Sequence, residues 1–175
     1  MKAVARVGRN LWIAFLVLVV GLVSPTSARD LPGERESLAG LAGVHLVVED
    51  MKPDVERYGL TRSALRRDVE LRLRQTGIRV LSVIEWAEVP PTPSLTLRVT
   101  ALRNEAGSYA VSVALDLVQD VRLVRDPTIT APTATWQATG TLATHGARML
   151  PEVREGVCDL VDQFLNDYMA ANPKR

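Results

Sequence analysis

One cysteine and two histidines are all that this 175-residue sequence offers for thiol or imidazole chemistry. Cys158 has no partner within the chain, so no internal disulfide staples the fold and a zinc site built from several thiolates is excluded. His45 and His145 stand outside any His-x-x-x-His or Cys-x-x-Cys spacing and read as structural or surface histidines. The sequence has no Gly-x-Ser-x-Gly elbow, no phosphate loop and no dinucleotide fingerprint. Glu49 and Asp50 are adjacent carboxylates, but neighbours on a strand point to opposite faces and cannot share a substrate. Glu155, Asp159 and Asp162 fall on one helical face as a solvated row without the calcium-loop pattern. Cys158 borders an apolar stripe and reads as an inert, half-buried thiol rather than a nucleophile. No catalytic residue, metal or cofactor is assigned, and a non-enzyme is expected.

Charge of one sign is also scarce, with 21 basic against 20 acidic residues. All charge in the first 28 residues is positive (Lys2, Arg6, Arg9), and the apolar run Leu11 to Val23 follows it. Ser24, Pro25, Thr26, Ser27 and Ala28 then supply a breaker and small side chains. This is the three-part layout of a secretory signal peptide, Met1 to Ala28, cleaved after Ala28; the run is short for a membrane span, which needs about 20 apolar residues. No cysteine lies near the cleavage point to take a lipid. Removal would leave 18 basic and 20 acidic residues, a formal charge of −2. Neither nucleic-acid binding nor attraction to anionic lipid has its electrostatic footing in such a chain, and no membrane insertion is expected after cleavage. A periplasmic or secreted location follows. The remaining residues suit one domain: a flexible leader over 29–43, a single α+β domain over 44–171 and a tail over 172–175.

Within that domain the run from Val44 to Glu49 is almost continuously apolar and predicts a strand covered on both faces. Thr61 is placed to cap a helix over Arg62 to Thr76, with Leu60 and Leu65 at the staple positions and Gly77 ending it. Leu65, Val69 and Leu73 form its apolar stripe, while Arg66, Glu70 and Arg74 form a solvated row of alternating charge. Ile78 to Trp86, rich in β-branched residues, reads as a second strand. Trp86 itself is either a packed strand end or an exposed contact residue.

After three prolines the period becomes two. Leu95, Leu97, Val99 and Ala101 alternate with Thr96, Arg98 and Thr100; beyond a turn at Asn104 to Ser108, Val111, Val113, Leu115 and Leu117 alternate with Ala110, Ser112, Ala114 and Asp116. The second arm of this hairpin runs on toward Arg125, with a bulge expected near Gln119 or Asp120. A loop holding Pro127 and Pro132 precedes a last strand of Ala134, Trp136, Ala138 and Leu142 against Thr135, Gln137, Thr139 and Thr141. Pro151 to Ala171 is a long amphipathic helix whose polar face is acidic, which favours docking on the sheet over lying on a membrane.

The sum is an α+β two-layer sandwich: a mostly antiparallel sheet of about five strands with two helices packed on one face. The face left over presents Arg98, Thr100, Ser112, Asp116, Thr135, Gln137 and Thr139, and these are the candidate partner-binding residues. The sheet edge and the arm from Gln119 to Thr130 form a competing site.

The run Leu65, Val69, Leu73, Arg74, Gly77, Ile78, Val80, followed by a hairpin and a C-terminal helix, resembles a group of small exported bacterial proteins. In element order it is similar to the lipopolysaccharide-assembly lipoprotein LptE and to the N-terminal domain of TolB. The resemblance implies a non-enzymatic part of an envelope assembly; the expected partner is another envelope protein or, through the unpaired sheet edge, a second copy. The alternative is a small-ligand carrier or enzyme using a pocket between sheet and helices.

Overall fold

The computed structural model describes residues 33–56, 59–88, 93–145 and 148–173. Met1 to Ala28, read above as a signal peptide, lies outside them. Leu38, Val44, Leu46 and Val48 are buried from the first elements onward. They come from a short 3-10 turn, Glu36–Leu38, and from β1, Val44–Val48. The segment read as a flexible leader is therefore docked from Gly33 on: Leu38 belongs to the core, and Asn172 at the far end of the chain donates to its carbonyl at 2.9 Å. One buried leucine and a cross-chain hydrogen bond offset the ordering of a charged segment.

A four-residue helix α1, Pro53–Glu56, leads to α2, Arg62–Gln75. Thr61 caps α2 as its spacing predicts, its hydroxyl accepting from the Ala64 amide at 3.2 Å, while Leu60 and Leu65 close the staple fully buried. At the other end Gly77 takes a left-handed φ of 89°. That geometry lets Ile78 N–H reach the Leu73 carbonyl and Gly77 N–H the Arg74 carbonyl, the paired bonds of a Schellman ending.

The strand expected over Ile78 to Trp86 does not form as such. Only β2, Val80–Leu81, is extended, and α3, Val83–Glu88, replaces the rest. A local signal overrides the β-branched composition: Ser82 and Glu85 form a reciprocal capping box, Glu85 N–H donating to Ser82 Oγ at 3.2 Å and Ser82 N–H to Glu85 Oε2 at 2.8 Å. The Ser82 amide, then the Arg79 guanidinium, lower the Glu85 carboxyl to a pKa of about 2.

β3, Ser94–Arg103, and β4, Ser108–Leu123, form the expected hairpin, and their burial alternates as their sequence does. The loop expected at Pro127 and Pro132 is absent. β4 turns through Val124 and Arg125 straight into β5, Asp126–His145. Strand order β2-β1-β3-β4-β5 explains why: β5 is an edge strand, and an edge tolerates residues that cannot donate to a ladder. The expected bulge falls slightly earlier than Gln119. Leu117 pairs with Trp136 and Val118 with Ala134, so Thr135 is the extra residue, and a second irregularity lies between Arg122 and Leu123.

The sheet is mixed: β1 runs parallel to both β2 and β3, while β3, β4 and β5 are antiparallel. Crossovers through α2 and α3 make the parallel neighbours, since only a crossover returns a strand in the same direction. α4, Met149–Ala171, packs on β5 and β4, while α2 packs on β1 and against α4. Between sheet and helices lie Trp136, Phe164 and leucines of β1, β3, β4 and α2, all fully buried, so side chains fill the layer in which the alternative reading placed a ligand pocket. Phe164 meets the Trp136 ring edge-on at 5.1 Å. The Trp136 indole N–H donates to Asp167 at 3.0 Å, and Arg35 pairs with the same carboxylate.

Candidate functional site: the open sheet face and the β5 edge

β1 sends His45 and Glu49 to the side away from α2 and α4, and the alternating residues of β3, β4 and β5 join them there. One end of this face is not open. Trp86 of α3 stacks on His45 at 5.3 Å, and His45 Nδ1 lies 3.1 Å from the Leu81 carbonyl. His45 is buried, whereas Trp86 is 39% exposed: it covers the imidazole with one side of its ring and still presents surface, so neither the packed nor the exposed reading describes it alone.

Across the middle of the face a polar network laces four strands. Arg98 grips Glu49 with two hydrogen bonds, at 2.9 and 3.0 Å. It also approaches Asp116 at 3.7 Å, and Gln137 donates to Asp116 at 3.3 Å. The Glu49 carboxylate, by hydrogen bond and charge, holds the Arg98 guanidinium above its ordinary pKa. Asp116 is buried beneath this lattice although the sequence marks it as a surface residue. A carboxylate buried on a strand needs such partners, because leaving it unpaired costs several kcal/mol. Sequence reading placed Arg98, Asp116 and Gln137 on one face but missed Glu49, whose partner lies 49 positions away.

Of the other candidates, Thr100, Ser112 and Thr139 are exposed on the open face. Thr100 and Ser112 line a shallow depression of about 380 Å³, together with Leu102, Ala110 and Thr141. Leu102 is 61% exposed at its rim. Thr135 is set apart: its hydroxyl accepts from Gln119 at 2.7 Å, and its carbonyl accepts from Ser37 Oγ at 3.2 Å. It pins the bulge and the 3-10 turn together.

Below that bulge the β4–β5 hairpin leaves the body of the protein. No residue from Val118 to Ala134 is buried. Val121, Leu123, Ala131 and Ile129 nevertheless give the ribbon an apolar side, and Val124 at its tip is 98% exposed. An isolated two-stranded ribbon is marginal in water, so a projecting one is a natural contact element.

On the helical side Arg154 binds Asp68 through two hydrogen bonds of 2.8 Å, and Arg72 pairs with Asp162. Glu70 joins Arg66 and Arg74 in the expected surface row. Cys158, half-buried on α4, is separated from His45 by the sheet. Among the described residues no cluster of His, Cys, Asp and Glu is arranged to hold a metal, and no helix is long and apolar enough to cross a membrane.

No protein-family model matches the sequence, and no curated protein matches it. Among solved structures, the rare lipoprotein B from Shewanella oneidensis is similar at 14% identity and a TM-score of 0.39, over 73% of this chain and 94% of that one. A dodecameric PelC variant from Paraburkholderia phytofirmans is similar at 19% identity and a TM-score of 0.39, over 74% and 91%. A minor lipoprotein from Acinetobacter baumannii is similar at 14% identity and a TM-score of 0.35, over 75% and 93%.

Proposed function

We propose that this protein is a non-enzymatic binding or assembly module of the cell envelope, periplasmic or secreted, that engages another protein through the β5 edge and the projecting β4–β5 ribbon. The export-signal pattern of Met1 to Ala28 supports the compartment. The observation that carries the binding role is the ribbon itself: from Val118 to Ala134 it holds a hairpin outside the core, with apolar side chains that pack against nothing buried. Backbone groups along such an edge accept a strand from a partner, and the apolar side gives that contact area to desolvate. The Arg98–Glu49–Asp116–Gln137 lattice braces the sheet behind it rather than binding, since its charges already satisfy one another. Of the two sites read from sequence, the edge and arm are therefore preferred to the face.

Trimming the ribbon tests this. Replacing 120–132 by Asn-Gly joins the paired residues Gln119 and Thr133 with the two-residue turn that suits a hairpin. The trimmed protein is expected to melt within a few degrees of the parent and yet to show the phenotype of a gene deletion. Full function in a cell carrying only the trimmed protein would refute the reading.

A further inference from the structure

We infer that the strand this edge accepts is β5 of a second copy, so that two molecules join edge to edge, antiparallel about a two-fold axis, into one continuous sheet. The inference rests on the reading of β5 as the binding edge and names its partner.

Charge is the first argument. The chain is 23% Asp, Glu, Lys and Arg, yet no such residue occurs from Pro127 to Thr144. Edge strands are ordinarily defended by charges, above all lysine, and by proline. Here the prolines, 127 and 132, both lie in the ribbon, and the stretch from Gln137 to Thr144 beside the body has neither defence. About a two-fold axis a residue n places before the axis faces the residue n places after it on the second copy, so only a charge on the axis meets itself, and a strand without charge brings no like-signed pair together in any register.

Closure is the second argument. The opposite edge of the sheet is β2, only the two residues Val80–Leu81. Each molecule thus carries one long acceptor edge, and pairing β5 with β5 uses the same stretch beside the body on both copies, which gives a closed dimer rather than a filament and leaves the ribbon edges outside the pairing. Register follows from side-chain direction, because opposite residues of a ladder share a face and the axis must then pass through a residue. With Gly140 on the axis, Thr139 meets Thr141 of the second copy, twice, and Ala138 meets Leu142. The Thr–Thr pairs lie on the open face, where both threonines are exposed in the single chain.

Sedimentation velocity over a concentration series of the chain from Arg29 reads the outcome. The parent is expected to be a dimer. Thr139→Lys with Thr141→Lys brings ammonium groups to facing positions and is expected to weaken the dimer by roughly tenfold or more. Thr139→Glu with Thr141→Lys places opposite charges there and is expected to restore it, which separates a lost interface from a lost fold. Thr100→Lys with Ser112→Lys, on the same face but on interior strands, is expected to leave the dimer intact. A parent that stays monomeric at every concentration, a lysine pair that dimerises like the parent, or loss of the dimer in the interior-strand variant overturns the inference. A monomeric parent whose ribbon-trimmed form still fails in cells removes only the second copy as partner, whereas a trimmed form that functions removes the binding-edge reading itself.

Discussion

Replacing Phe164 by alanine is expected to cost about 3–5 kcal/mol of folding stability, which a shift in the denaturant midpoint at unchanged slope would report. Phe164 is fully buried on α4, edge-on to Trp136 and 6.5 Å from the Tyr168 ring. It sits where the helix meets β5, and Trp136 is fixed from its other side by Asp167. The vacated volume cannot be refilled by a backbone so restrained, so a cavity term adds to the lost transfer energy. Domains of this size are stable by only about 5–15 kcal/mol, and the variant is expected to lie near the edge of folding at physiological temperature. A midpoint equal to the parent's would mean that α4 does not dock through this ring.

Gly43→Ala is expected to destabilise by about 1–3 kcal/mol through overpacking rather than loss of contact. A Cβ at Gly43 would lie 2.7 Å from the Arg79 carbonyl oxygen and 3.1 Å from Arg79 Cβ. That carbonyl accepts the Val44 amide at 2.9 Å, the bond that aligns β1 with β2. The obstacle is backbone, not the far end of a flexible side chain, so relief requires β1 and β2 to separate. Amide exchange at Val44 and Leu81 should accelerate ahead of global unfolding. Parental exchange rates there would show that the two strands tolerate the methyl group.

Much of the fold is legible in the sequence because local and tertiary preferences agree. In α2, cap, staple, stripe and glycine ending all sit at helical spacing, and in β3 and β4 strict alternation matches a sheet covered on one side. The reading fails where one of these layers outvotes another. The residues from Ile78 to Trp86 have strand composition, but the box formed by Ser82 and Glu85 starts a helix; the Ser-x-x-Glu spacing is visible in the sequence, yet its β-branched neighbours point the other way. Pro127 and Pro132 signal a loop only if the strand is interior, and edge position is a tertiary fact that period-two alternation does not encode. The parallel placement of β1 between β2 and β3 is equally non-local. At the candidate site, alternation finds the open face, but neither the covering of His45 by Trp86 nor the recruitment of Glu49 to Arg98 follows from spacing along the chain. The ribbon is legible as an over-long arm, and its freedom from the core is not.

The reading of this protein as an edge-binding module is tested most directly by a photo-crosslinking side chain placed in living cells, position by position. Thr139 and Thr141 report the β5 edge, Val124 the ribbon tip, and Glu155 the helical side; all four are exposed. The account predicts covalent adducts to protein from the edge and ribbon positions and none from Glu155. Adducts from Glu155 alone, with the edge and ribbon silent, would contradict it.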